Sequence, residues 1–176
     1  YDVAALVENE NIGFGVRNAP YTIYLYNQDH VLLTKQTGNT FINPAEKFVV
    51  FASRLNTGSS LATQAFLEFD NQLVWEKAKL VPKVINIERQ SFINTPRPRL
   101  QIKVTNLTFD PISSLRVSTI LSDNNNNALA ASATLIDKLK AQEIKEIFLT
   151  WPTPLASDPA LVDLYWRLNS FELSPN

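Results

Sequence analysis

Tyr21-Thr22-Ile23-Tyr24-Leu25-Tyr26-Asn27 is paralleled further along the chain by Leu115-Arg116-Val117-Ser118-Thr119-Ile120-Leu121-Ser122-Asp123, an apolar run that again ends in a turn-forming side chain. Leu25 matches Leu121 and Leu33 matches Leu129 at an offset of 96. Pro44-Ala45-Glu46-Lys47 parallels Ala141-Gln142-Glu143-Ile144, and Phe51 matches Phe148, at an offset of 97. Upstream of both runs, Val7-Glu8-Asn9 and Val104-Thr105-Asn106 end a strand-like stretch in Asn. A single inserted residue, placed in the loop after Thr34 or Ala130, reconciles the two registers. Matches in this order along the chain read as two copies of one unit.

Each copy has the rhythm of a β-sandwich. Leu100, Ile102 and Val104 alternate with Gln101, Lys103 and Thr105, the period-two pattern of a strand with one dry face. Leu115, Val117, Thr119 and Leu121 continue it. Tyr21–Tyr26 and Phe48–Phe51 are apolar or aromatic almost throughout, which predicts strands covered on both faces, or one whose outer face meets the neighbouring copy. Asn27-Gln28-Asp29-His30 and Asp123-Asn124-Asn125-Asn126-Asn127 supply the turns in a chain with only four Gly, because Asn tolerates positive φ.

Two segments compete for helix. Asp137–Phe148 holds good helix formers behind a capping residue, but its first-copy counterpart has Pro44 at its centre. Equivalent segments should share one conformation, so a turn feeding a strand is expected. Asp158-Pro159 offers a cap and a first helical position, while Leu161–Leu168 fits either period. At most a short helical turn, followed by a closing strand up to Leu173, is expected. The second copy also opens with an additional strand, Val84–Glu88, whose counterpart 97 residues earlier would precede Tyr1. The first copy is therefore expected to lack its opening strand or to receive it from elsewhere.

The fold class expected is all-β: two tandem immunoglobulin-like antiparallel sandwiches related by internal duplication, residues 1–81 and 82–176. Composition narrows the function classes. The chain has 176 residues, 45% of them hydrophobic, with 16 Lys+Arg against 17 Asp+Glu. Such a chain buries a core, and a net charge of −1 gives no general attraction to nucleic acid. No apolar run approaches the roughly 18 residues that span a bilayer. Without Cys there is no disulfide and no thiolate metal site.

Leu25-Tyr26-Asn27 after Ile23, and Leu121-Ser122-Asp123 after Thr119, resemble the signature of bacterial FxLYD-type domains, immunoglobulin-like modules of envelope proteins. Ile23 and Thr119 stand where that signature has Phe, Asn27 where it has Asp and Ser122 where it has Tyr. Thr37–Ile42, Ala130-Ala131-Ser132 and Phe148-Leu149-Thr150-Trp151-Pro152 look like the twin-sandwich ectodomains of uncharacterised membrane-anchored proteins from uncultured small-genome bacteria. The resemblance implies an extracytoplasmic, cell-envelope location with an anchor upstream of Tyr1, and it brings no activity and no functional residues. The Val-x-Asn strand endings are also similar to the late-embryogenesis-abundant type 2 fold.

Few side chains are candidates for chemistry. His30, the one His, falls at a hairpin tip beside Asp29, without a G-x-S-x-G elbow elsewhere, and reads as a turn residue. Glu8/Glu10 and Glu143/Glu146 are the carboxylate pairs to weigh for glycoside hydrolysis, and both read as solvated. Asp123 is the one metal-ligand candidate, since Ca²⁺ takes oxygen donors, against the reading of a hairpin turn held by local hydrogen bonds. Asn106-Leu107-Thr108 is a formal glycosylation acceptor. Arg97-Pro98-Arg99 with Lys103 and Arg89 is the densest basic patch, without the stacking aromatics of a nucleic-acid surface. Trp151 and Trp166 follow the parity of core positions. Trp75, flanked by Asn71-Gln72 and Glu76-Lys77, is the candidate ligand-binding aromatic.

No catalytic residue and no cofactor are expected, and the chain reads as not an enzyme. The function expected is a cell-envelope module that binds a protein or polysaccharide partner or acts as a spacer. Its alternatives are a carbohydrate-binding module and, less favoured, a hydrolase.

Overall fold

The computed structural model describes residues 1–94 and 96–173, and among these every regular element is a strand. The chain divides into two compact units: Tyr1–Val81 joined by the segment that starts at Asn169, and Pro82–Leu168. Their strands pair antiparallel, and each unit has two sheets.

The first unit contains β1 (Val3–Asn9), β2 (Phe14–Tyr26), β3 (Leu32–Ile42), β4 (Glu46–Ala52), β5 (Gln64–Phe69) and the short β6 (Glu76–Lys77). One sheet is β1-β4 and the other β3-β2-β5, with β6 pairing the start of β2. Alternation on β2 sends Ile23 and Leu25 inward, where they meet Phe48, Val50 and Ala52 of β4. Burying each of the larger side chains contributes about 1.5–3 kcal/mol.

The second unit contains β7 (Ile85–Ile93), β8 (Arg99–Asn106), β9 (Ile112–Ser122), β10 (Ala128–Leu139), β11 (Ile144–Thr150) and β12 (Leu161–Arg167). Its sheets are β11-β8-β7 and β10-β9-β12. Leu100, Ile102, Val104, Leu115 and Leu121 are fully buried, as their spacing requires.

The units share pairing geometry along β1–β5 and β8–β12. Val3↔Ala52 on β1/β4 corresponds to Leu100↔Leu149 on β8/β11, and this register holds along both pairs. The Asn9 amide donates to Phe14 O and Asn43 O (2.9 and 2.8 Å) while Asn11 N donates to its Oδ1 (3.1 Å). Asn106 donates likewise to Asp110 O and Lys140 O (2.8 Å each) and accepts from Thr108 N (2.9 Å). In the β3–β4 turn, Asn43 N donates to Glu46 Oε2, as Lys140 N does to Glu143 Oε2 in the β10–β11 turn. Ala45 and Gln142 adopt the same positive φ there (46° and 54°).

Four sequence-based expectations meet a definite outcome. The helix-like stretch Asp137–Phe148 is the end of β10, a turn and β11, because Gln142 takes a left-handed conformation that breaks a helix. The added strand at the start of the second unit is present and longer than expected, reaching Ile93. The one-residue difference in spacing falls after Thr34 and Ala130, as expected, but within β3 and β10 and not in a loop. The register shift at Leu33 recurs at Leu129, whereas β2 has an extra shift between Val16 and Ala19 that β9 lacks. There Arg17 and Asn18 bulge opposite Phe41, absorbing the residue that β3 lacks relative to β10. Finally, the closing strand stops at Arg167 rather than Leu173. The following residues turn and join the first unit, where Ser170 N donates to Asn43 Oδ1 (2.9 Å) and Arg17 lies over the Phe171 ring (4.7 Å). The last three residues of the expected second domain lie outside the described residues.

Candidate functional site

The alternation that buries Ile23 and Leu25 turns Thr22, Tyr24 and Tyr26 to the opposite face of the β3-β2-β5 sheet. Register then selects their neighbours. Tyr24 stands opposite Lys35 on β3 and Phe66 on β5, Tyr26 opposite Leu32 and Gln64, and Thr22 opposite Thr37 and Glu68. The Tyr24 and Tyr26 rings lie 6.3 Å apart at 30°, and Phe66 meets Tyr26 edge-on at 5.7 Å. Phe66 is 56% exposed. His30, at the hairpin tip, reaches this face through Nδ1 and the Gln64 Oε1, 3.1 Å apart.

This arrangement offers apolar ring faces with polar groups at their margins: the Tyr hydroxyls, the Lys35 ammonium, the Gln64 amide and the Glu68 carboxylate. Aromatic rings of this kind bury the C–H faces of a ligand while polar neighbours fix its orientation. The corresponding face of the second unit carries Ser118, Ile120 and Ser122 on β9, opposite Tyr165, Asp163 and Leu161 on β12. Among the described residues it has no strip of rings. Burial, with the Asp163 charge adding, raises the Tyr165 hydroxyl above its ordinary pKa.

Trp75 is 46% exposed, next to Val74 at 69%, but among the described residues no ring contact joins it to Tyr24, Tyr26 or Phe66. Trp151 is buried, donates its indole N–H to Ala131 O (2.9 Å) and meets Phe92 edge-on. Trp166 is half-buried on the inner parity of β12.

Asp123 spends its carboxylate on the turn. Oδ1 accepts from Asn125 N and Asn127 N (2.8 and 2.9 Å), and Oδ2 from the Asn127 side chain (2.9 Å). The Asn127 side-chain and main-chain bonds hold its pKa below the usual carboxylate value, helped by Asn125 and opposed by slight burial. Asn27 builds the same turn in the first unit by accepting from Asp29 N and Val31 N (3.0 and 2.9 Å). His30 there has the same left-handed φ as Asn126, 59° against 63°. Among the described residues no three His, Cys, Asp or Glu side chains gather as a metal site.

The remaining candidates are dispersed. Glu8 pairs with Lys47 (3.8 Å) in the open, Glu10 is exposed, Glu143 closes its turn and Glu146 accepts from Gln101 (3.1 Å). Lys103 pairs with Glu88 (3.9 Å) and Arg99 lies over Phe148 (5.7 Å), while Arg97 and Arg89 are exposed. Asn106 is 1% exposed, with its amide donating to two carbonyls, so the folded chain cannot present it for glycosylation. Sequence reasoning missed Phe66 as the partner of the tyrosines. The signal was the spacing of Tyr24 and Tyr26, which the expectation of a doubly covered strand passed over. Among the described residues no helix is long and apolar enough to cross a membrane. Set against known proteins, the chain matches no family model and no curated protein.

Proposed function

We propose that this chain is a non-enzymatic, extracytoplasmic module of the cell envelope, built from two immunoglobulin-like units of common origin, that binds polysaccharide through the aromatic face of its first unit. The observation that carries this reading is the strip of Tyr24, Tyr26 and Phe66, flanked by Lys35, Gln64 and Glu68 on the outer face of one sheet. Half-exposed rings beside polar side chains suit the alternating C–H faces and hydroxyls of a sugar chain. The shared buried-Asn and turn geometry supports the common origin, and the FxLYD-type resemblance supports the envelope location.

The test is retention on insoluble cell-wall glycans and migration in gels containing soluble polysaccharides. A Tyr24→Ala/Phe66→Ala variant should lose about tenfold in affinity, since ring contacts are worth roughly 0.5–1.5 kcal/mol each. Trp75→Ala should retain binding. Absence of retention on every glycan, or equal retention by the double variant, would overturn the reading. A loss confined to Trp75→Ala would move the site to that residue.

A further inference from the structure

The two units differ at one edge. β8 has a strand on each side, β11 and β7, whereas β1 pairs with β4 alone among the described residues. The difference shows in burial: Leu100, Ile102 and Val104 on β8 are 0% exposed, while Val3, Ala5 and Val7 at the same register positions are only half-buried. Beside β1 lies an open groove of about 280 Å³, lined by Tyr1–Ala4, Leu25 and Ala62–Ala65. The equivalent positions in the second unit are 98–101, 121 and 159–162. There β7 runs, pairing Phe92 with Leu100 and Ser91 with Gln101 and touching β12.

An uncovered edge is normally blunted by Lys, Pro or a bulge. β1 reads Val-Ala-Ala-Leu-Val-Glu-Asn, with no Lys and no Pro, and its pairing with β4 has no register shift. We infer that β1 accepts an extended segment of a partner polypeptide as an added antiparallel strand, in the place that β7 holds in the second unit. Main-chain hydrogen bonds to this edge, open among the described residues, supply affinity, and alternate side chains supply specificity.

The register of β7 on β8 describes the segment that fits. Ile87 opposes Val104 and Phe92 opposes Leu100, so the segment places apolar groups over Val7 and Val3, with an aromatic ring suited to the groove. On the other face, Glu88 opposes Lys103, but the β1 position equivalent to Lys103 is Leu6, which is 47% exposed. The segment therefore needs an apolar group where β7 has Glu88. The two readings share Gln64 at the margin of the groove, but β1 itself belongs to the other sheet from Tyr24 and Phe66.

The test titrates the isotope-labelled full chain with a synthetic peptide of the β7 sequence carrying Glu88→Leu, followed by amide shifts and hydrogen exchange. Saturable shifts should appear along Val3–Asn9 and Ala62–Ala65, and β1 amides should exchange about tenfold more slowly at saturation. β8 should be unchanged. The unmodified β7 peptide, and the Leu6→Lys protein, should each bind up to about fivefold more weakly, the worth of one cross-strand pair. Peptide binding by Tyr24→Ala/Phe66→Ala should match that of the parent, so either reading can fail alone. No saturable shift on β1, equal shifts with a scrambled peptide, or self-association of the chain through β1 in place of peptide binding would overturn the inference.

Discussion

β1 and β8 occupy one position in one framework, with the same register to the strand beside them and the same buried Asn at their ends. One is fully buried on its inner face and the other is not. The difference teaches that a strand's burial is set by what lies along both its edges as well as by its own alternation. Side-chain volume follows the same division. β8 brings Leu100, Ile102 and Val104 to the core, while β1 brings Val3, Ala5 and Val7 and leaves more of the filling to Phe48 of β4. At the equivalent of Phe48 the second unit has Lys145, half-buried opposite Val104.

That division can be broken most forcefully at Phe48, which is 0% exposed. Phe48→Ala should cost the first unit about 3–5 kcal/mol in chemical denaturation, through lost transfer energy and a cavity. Lys145→Ala should cost the second at most about 1 kcal/mol, from lost packing of the stem. Comparable losses would mean that the cores are filled alike.

The buried asparagines come next. Asn9→Ala and Asn106→Ala each leave two carbonyls without their amide donor, at about 1–3 kcal/mol per unsatisfied group. The Asn106 change should be the more severe, because Asn106 is the more buried and its Oδ1 also accepts from Thr108 Oγ1 (2.8 Å). Thermal unfolding of the two variants would rank them.

Gly38 tests packing at one cross-strand pair. A Cβ there would fall 2.3 Å from the Tyr21 ring, so Gly38→Ala should cost about 1–3 kcal/mol. Its counterpart, Thr134, already carries a side chain because Val117 stands opposite in place of Tyr21. Thr134→Ala should therefore be much milder in the same denaturation assay.

The smallest effect separates the two hairpin turns by pH. Asp123 has a folded pKa below its unfolded value of about 3.9. Its contribution is complete above the unfolded pKa and is lost as pH falls through the folded one. Asn27 holds the same turn without a titrating group. Acid should thus loosen the second turn and spare the first, as seen in amide shifts of residues 123–127 against 27–31, and Asp123→Asn should remove the difference.

Much of the framework was legible in the sequence because its signals are local. Period-two alternation marked β8 and β9, and the Asn clusters marked the two hairpins. The repeat outweighed the helix-forming composition of Asp137–Phe148, since only a turn suits both Pro44 and Gln142. What escaped was set by pairing over distance. The bulge at Arg17–Asn18 depends on how β2 meets β3, and the departure of the chain after Leu168 depends on contacts with Asn43 and Arg17. The aromatic face was half-legible: Tyr24 and Tyr26 share a parity, but Phe66 joins them only through the register of β5 on β2. Asn106 carried a glycosylation motif whose irrelevance appears only once its burial is known.

Residue-resolved hydrogen exchange of the isolated chain tests the central contrast most directly, because a free edge and a covered edge protect their amides differently. Amides of β8 should be slow along both edges, and those of β1 should alternate, with amides bonded to β4 slow and those on the open edge fast. Uniform protection along β1, equal to that of β8, would contradict this contrast.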